Sequence, residues 1–290
     1  MTALPGGRGR AERPYLAGMP PNPADLRDFE RDGFLIVPDA LSPADVRRLR
    51  ALTDRARRRA TAADDGSVHL LGFIGRDPAF AELVDHPRVL DLVCATLGWN
   101  VHVYHCHLDV HPPARPNRPP RWRWHQDGGR QNLEIESDPR PRLSVKVAWF
   151  LSDVSQPGHG NLQVIPGSHR RNRLVRPDSP EAAPPRPAGA TEVLAGPGTA
   201  VIFDRRLWHA RGENRSRRTR RALFLAYTYR WVRERDRYPR SSAWFEALSP
   251  VQRQLLGAAA TPDGHWLPTD ADVPLRAWMR ERGFAAESLR

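Results

Sequence analysis

The sequence predicts a mainly β protein with helices packed outside a β core. Two observations carry this prediction. Helical signals dominate the chain up to Gly98, whereas from Val101 onward short apolar or alternating runs are separated by turn residues. Helices first and many short strands afterwards fit a β-sandwich or jelly roll with helices outside, not an alternating α/β sheet.

Taken in order, residues 1–22 are rich in Gly, Pro and Arg and are expected to be disordered or loosely draped. Asp25 to Asp32 reads as a short helix with Leu26 and Phe29 inward, ended by Gly33, and Phe34-Leu35-Ile36-Val37 as the first strand. Ser42-Pro43 is a helix start, with Ser as N-cap and Pro at the first helical position. Val46, Leu49 and Leu52 then fall on one face. Arg57 to Ser67 reads as a polar connection. Helices are expected over Ala79 to Val84 and over Pro87 to Leu97, the second capped by Gly98. Val101 to Val110 alternates as a strand, and Pro112 to Arg123 is a Pro/Arg loop of the kind that forms an active-site lip.

Strands follow over Leu143 to Leu151, Leu162 to Ile165, Thr191 to Leu194, Ala200 to Phe203 and Arg221 to Trp231. In the last, Leu223, Leu225, Tyr227 and Tyr229 share a face, with Phe224, Ala226, Thr228 and Arg230 on the other. Residues 170–190, proline-rich and charged, suggest a lid or flexible insertion. The chain beyond Trp231 is expected to be helical or irregular. Residues 23–290 then form one domain, with its β core at about 100–231.

Composition excludes several classes. No run of 18 apolar residues exists, so no membrane span is expected. Met1 to Pro14 lacks the apolar stretch of a signal peptide, and the cysteines Cys94 and Cys106 give no disulfide framework, so a cytoplasmic location is expected. The net charge of +12 comes from 45 basic residues, of which only Lys146 is a lysine. That skew reads as coding bias, and aromatics do not interleave with the arginines, so no nucleic-acid partner is expected. An acidic small-molecule substrate is a milder reading of the charge.

The chemistry centres on Trp124-His125-Gln126-Asp127 and Leu207-Trp208-His209. Two imidazoles and a carboxylate on one face of a metal leave three positions open, as in the facial triad of non-haem Fe(II) oxygenases. Trp122 and Trp124 make the approach apolar. Gly128-Gly129 follow at once, which suits a strand end at a barrel mouth where backbone and ligand come close.

With these pieces in hand, the sequence resembles the phytanoyl-CoA dioxygenase family of Fe(II)/2-oxoglutarate oxygenases from about Asp28 to Trp231. Phe29-Glu30-Arg31-Asp32-Gly33-Phe34-Leu35-Ile36-Val37 is similar to the family's N-terminal x-D-G-F segment. Gly160-Asn161-Leu162-Gln163-Val164-Ile165-Pro166-Gly167-Ser168-His169 looks like its G-x-L-x-x-x-P-G-S-H segment. The two His-bearing pieces, with His209 through Arg220, complete the set in family order. The resemblance implies a double-stranded β-helix (jelly roll, cupin-like) core, with Fe(II), 2-oxoglutarate as cosubstrate and O₂ as oxidant. It implies His125, Asp127 and His209 as iron ligands and Arg220 as the partner of the far carboxylate of 2-oxoglutarate. It further implies oxidation, above all hydroxylation, of a small molecule, with secondary metabolism as the expected setting. Halogenating relatives replace the acidic ligand with a small residue, and Asp127 is retained. The chain departs from many relatives in having Arg211 where they carry a small hydroxyl residue. Either the carboxylate is held differently or Arg211 turns outward.

Other residues are weighed singly. His102, His105, His107 and His111 lie on or beside one strand. Such a cluster could bind zinc, but a closed zinc site wants a second ligand pair, usually with cysteine, and Cys106 would point to the opposite face from His105 and His107. The four read instead as polar residues of a half-exposed strand or, for His105 and His107, as pocket lining. In the second reading His107 contacts 2-oxoglutarate or substrate. Lys146, between Val145 and Val147, must reach water or meet a carboxylate. It reads as a barrel-edge lysine or as a contact to an acidic group of substrate or cosubstrate. Ser216 is a further cosubstrate contact, and Trp124, Arg211 and Trp149 are further substrate contacts. Asp204 reads either as an orienting partner of His209 or as a turn residue. His159 and His169 read as loop histidines. The alternative reading of the whole chain is a non-catalytic cupin-like metal- or ligand-binding protein.

Overall fold

The computed structural model describes residues 21–115, 123–174, 186–238 and 241–289. In chain order the helices are α1 (Pro23–Asp32), α2 (Pro43–Arg58), α3 (Pro78–Ala81), α4 (Pro87–Leu97), α5 (Gln131–Glu134), α6 (Ala243–Glu246), α7 (Pro250–Leu255) and α8 (Pro274–Glu281). The strands are β1 (Phe34–Val37), β2 (Val68–Leu71), β3 (Val101–His111), β4 (Ser144–Phe150), β5 (Leu162–Val164), β6 (Thr191–Glu192), β7 (Ala200–Asp204), β8 (His209–Arg211) and β9 (Arg220–Tyr229).

Local chemistry explains the first elements. The side chain of Asn22 accepts from the Ala24 N–H and caps α1, which ends at Gly33 in the left-handed conformation (φ 81°). Ser42 accepts from the Asp45 N–H, and Pro43 opens α2. His86 carries no side-chain cap, yet Pro87 still starts α4 and Gly98 closes it by bonding back to Cys94 O. Helices α1, α2 and α4 and strands β1, β4, β7 and β9 run close to the expected boundaries. One expectation is corrected: Ala79 to Val84 is one helical turn, α3, that relaxes into a turn. Strand β2, which follows the polar connection, was not anticipated. The cause is that β2 takes its partner from the long strand β3, pairing His69 with Asp109, which four residues of local pattern do not reveal. Most of the expected lid at 170–190 and much of the loop at 112–123 lie outside the described residues, as does nearly all of the 1–22 segment.

The strands form a six-stranded antiparallel sheet, β1-β7-β4-β9-β3-β2, and a three-stranded sheet, β6-β5-β8. The central strands β4 and β7 are buried along their whole length because both sheet faces are covered. One face, with Val145, Val147, Trp149, Leu223, Leu225 and Tyr227, joins the helices in a core that runs from Phe29 to Phe284. The other, with Ala148, Phe150, Val201, Phe203 and Ala222, packs on Leu162 and Val164 of the small sheet. This is a jelly roll with helices on its outer face, as the order of sequence signals predicts.

Tyr227 shows how the outer face is locked. Its buried hydroxyl donates to Val84 O at 2.9 Å, tying β9 to the turn before α4. Tyr227→Phe should lower unfolding free energy by about 1 kcal/mol, read from urea denaturation, with little change in far-UV circular dichroism. An unchanged midpoint would show that this bond contributes nothing.

Candidate functional site

The inner face of the large sheet opens into a cavity of about 730 Å³. It is lined among others by His105, His107 and Asp109 of β3, Lys146 of β4, His209 and Arg211 of β8, and Arg220 and Phe224 of β9. Strand alternation places these side chains, since those sharing a strand are two or four residues apart.

His125 and His209 are joined by backbone. Each N–H donates to the other residue's carbonyl at 3.0 Å, and the Asp127 N–H donates to Arg205 O at 2.9 Å. The pairing brings the two rings to 4.2 Å, centroid to centroid, with their planes tilted by 50°. His125 Nδ1 bonds to Arg123 O and His209 Nδ1 to Leu207 O, both at 2.8 Å, so each ring presents Nε2 to the space between. Asp127 Oδ1 stands 3.9 Å from His125 Nε2 and Oδ2 3.9 Å from His209 Nε2. The three groups are therefore close enough to hold one metal ion. The tautomers are already set by the carbonyls behind them, as ligating imidazoles require.

Electrostatics prepares the same set. Burial pushes the His209 imidazole down to about 3, with His125 adding to the effect, so it stays neutral and ligand-ready. Burial alone would raise the Asp127 carboxyl. Lys146, His209 and His125 outweigh it and hold the group well below the usual carboxylate range.

Lys146 reaches into the barrel, as one of the two readings has it. Its partner, however, is in the chain itself: Nζ lies 2.6 Å from Asp127 Oδ2. Arg220 is fully buried, and its Nε and Nη1 have no hydrogen-bond partner among the described residues. Its guanidinium rests on the rings of Phe150 and Phe224, at 5.5 and 5.8 Å. A buried cation with unmet donors has the chemistry to receive a carboxylate. Gly160 makes room for it, since a Cβ there would stand 2.9 Å from Arg220 Cδ.

The remaining candidates separate. His105, His107 and Arg211 line the cavity, Arg211 pressed against His111. Trp124 is buried against Ile165 and Ala210 and is not among the cavity-lining residues. Trp149 is buried in the outer core beside His86, because it lies one residue out of phase with Lys146. Ser216 is in a turn outside the cavity, its hydroxyl donating to Asn214 Oδ1 at 2.7 Å. Asp204 is the last residue of β7 and holds the turn that follows: it accepts from the Arg206 N–H and pairs with Arg142, while His209 takes its orientation from Leu207. Gly128 and Gly129 line the cavity, and Gly128 is also closely approached by the chain itself. A Cβ there would meet Asn132 Oδ1 at 2.5 Å and Arg205 Nη2 at 2.7 Å. His169 is buried and holds Glu30 O, while His159 bridges to Asn214.

Sequence reasoning missed several lining groups. Asp109 lies two residues after His107 and was legible from strand alternation. His69 and Arg235 were not, since β2 was unrecognised and Arg235 follows the last strand.

The chain was compared with known proteins. A family model described as phytanoyl-CoA dioxygenase (PhyH) matches residues 29–222. The L-proline trans-4-hydroxylase of Streptomyces griseoviridis is 30% identical over 229 residues, covering 69% of this chain and 83% of that one. An ectoine dioxygenase of Nocardia farcinica is 27% identical over 232 residues, covering 70% and 76%. Among solved structures, apo EctD from S. alaskensis superposes with a TM-score of 0.59 at 20% identity, covering 78% of this chain and 84% of that one. An epimerase solved with Fe³⁺, α-ketoglutarate and nogalamycin RO gives 0.57 at 18% identity, covering 82% and 91%. At these identities the structural likeness establishes the fold.

The buried neutral His209 has a consequence for stability. Unfolded, the imidazole binds a proton below about 6.5; folded, it stays unprotonated down to about 3. The unfolded state therefore gains the proton first, and stability falls as pH drops from about 6.5 towards 3. One such group gives a slope of at most about 1.4 kcal/mol per pH unit. In metal-free protein, His209→Gln should show a shallower fall in urea midpoint between pH 6.5 and 4 than the parent. Equal slopes would mean that the ring is not held neutral.

Proposed function

This chain belongs to the phytanoyl-CoA dioxygenase family and is an Fe(II)/2-oxoglutarate-dependent dioxygenase, and on that premise we propose that His125, Asp127 and His209 hold its iron and that it hydroxylates an unactivated C–H bond of a small molecule. The observation that carries the reading is one cavity holding both this ligand set and the buried, unpartnered donors of Arg220. Family membership sets aside the alternative of a non-catalytic binding protein. The core that continues from Phe29 to Phe284 supports reading residues 23–290 as one catalytic domain.

Iron with 2-oxoglutarate and O₂ supplies the oxidation: one oxygen atom enters the substrate C–H bond, and the 2-oxo acid leaves as succinate and CO₂. The chain's part is placement. Leu207 O and Arg123 O fix the two imidazoles, and Lys146 keeps Asp127 ionised and ties down one of its oxygens. Arg220 takes the far carboxylate of 2-oxoglutarate and so orients its 2-oxo end towards the triad. Phe224 and Phe150 keep that ion pair away from water.

For the substrate we favour a small molecule with an anionic group. The cavity is also lined by Arg123, Arg130, Arg211 and Arg235, against the two carboxylates Asp109 and Asp127. The named activities of the relatives, on ectoine and on L-proline, support a compact polar substrate, and secondary metabolism is the setting we favour. No helix among the described residues is long and apolar enough to cross a membrane. The buried free thiols Cys94 and Cys106 fit a reducing cytoplasm.

Anaerobic Fe(II) with 2-oxoglutarate should give the weak visible charge-transfer band of a chelated 2-oxo acid. His125→Ala, Asp127→Ala and His209→Ala should each lose that band and 2-oxoglutarate turnover. Full turnover in any of the three would refute the ligand assignment.

Arg220→Ala should raise the KM for 2-oxoglutarate by roughly ten- to a hundredfold, the equivalent of about 1.5–3 kcal/mol for a charge-assisted bond. Its iron affinity should be nearly unchanged. A larger effect from Arg218→Ala or Arg221→Ala would move the role to that residue.

A further inference from the structure

The triad is not the only metal-capable group in the cavity. His69 of β2 and His107 and Asp109 of β3 each offer one ligand atom, and these atoms lie within 4.8 Å of one another. The sheet builds this cluster. His69 pairs directly with Asp109 across β2 and β3, with its Nδ1 2.7 Å from Asp109 Oδ1, and His107 follows on the same face as Asp109. None of the three has work to do in holding iron or 2-oxoglutarate as described above.

What lies behind the cluster is a separate observation. Asp236 accepts a hydrogen bond from His105 Nδ1 at 3.4 Å, and His105 Nε2 stands 3.2 Å from His107 Nδ1. An ionised carboxylate can only accept, so His105 carries its proton on Nδ1. In that tautomer His105 Nε2 accepts from His107 Nδ1–H. This leaves His107 Nε2 as a bare lone pair for the cluster. A ligating imidazole whose other N–H is tied to a second partner, itself backed by a carboxylate, is the usual support of a metal ligand. Burial also pushes the His107 imidazole well below its ordinary value, so it stays unprotonated. The second oxygen of Asp109 lies 3.6 Å from His111 Nε2.

We propose that His69, His107 and Asp109 form a second divalent-cation site at the rim of the cavity, distinct from the triad. Two imidazoles and one carboxylate select zinc or a similar first-row ion over magnesium or calcium. The side chain of His69 is 56% exposed, which gives the ion a way in. Three protein ligands leave a position free for water or for an anionic group of the cavity's occupant. Arg211 and Arg220 direct positive charge at Asp109, so the site holds its ion less tightly than a closed structural zinc centre.

The test is anaerobic titration of the metal-free protein with Co(II), read by visible d–d absorption and by equilibrium dialysis. The parent should bind two equivalents. His69→Ala and Asp109→Asn should each bind one, with the spectrum of the triad site unchanged. His125→Ala/His209→Ala should also bind one, with the spectrum of the new site. Circular dichroism checks each fold. If Asp109→Asn does not fold, His69→Ala decides, because that side chain is half exposed. A parent that binds one equivalent, or a His69→Ala protein that still binds two, overturns the proposal. A wrong triad assignment would show instead as two equivalents retained by His125→Ala/His209→Ala, so the two failures are distinguishable.

Discussion

The antiparallel bridge between His125 and His209 is the contact on which the site depends. Two backbone hydrogen bonds of 3.0 Å bring together residues from distant parts of the chain and set their rings side by side. The bond from the Asp127 N–H to Arg205 O extends the same pairing, so the carboxylate arrives in register with the imidazoles. Backbone is a good carrier for such geometry because its donors must be satisfied anyway once buried. The site is thus an extension of the small sheet, and its precision is that of strand pairing rather than of loop conformation.

The second constraint is the burial of charge. Lys146, Asp127 and Arg220 all sit inside the barrel, where an isolated charge would be costly. The first two offset each other at 2.6 Å. Among the described residues Arg220 Nε and Nη1 meet no hydrogen-bond partner, the guanidinium rests on two aromatic rings in the more distant field of Asp109, and burial lowers its proton affinity. Such a guanidinium is suited to pairing with an anion. The same reasoning holds on the opposite face of β4 and β9, where Val145, Val147, Trp149, Leu223 and Leu225 pack under the helices and Arg221, at the end of β9, is met by Asp54 of α2 at 2.8 Å.

The sequence segments that carry the family resemblance also meet in space. Gly33, of the N-terminal segment, lies against His169 of the Pro-Gly-Ser-His segment and against Leu207 beside the distal histidine. Gly160, at the start of that second segment, lies under the stem of Arg220. The hydroxyl of Ser168 accepts from the Trp208 N–H at 2.9 Å, next to His209. Residues that look like separate motifs in the chain are thus the two sides of a few close contacts around His209 and Arg220.

Most elements were legible because their signals are local. Ser42-Pro43, Gly33, Gly98 and the alternation of Arg221 to Trp231 each specify a backbone state within a few residues. The grouping of His125, Asp127 and His209 was legible because His-x-Asp with a distal His is a chemical pattern, and Asp109 could have been read from its phase with His107. Other features depend on partners far away in the chain. Strand β2 exists because β3 extends past it, and the ammonium of Lys146 stops at Asp127 because β4 runs beside that turn. Trp149 and Ser216 are excluded from the cavity, the one by strand phase and the other by a turn closed on Asn214. The chain by itself determined which residue types and which local conformations were present. Only the tertiary structure decided which charges face one another, because that depends on strand register between segments that carry no local record of their neighbours.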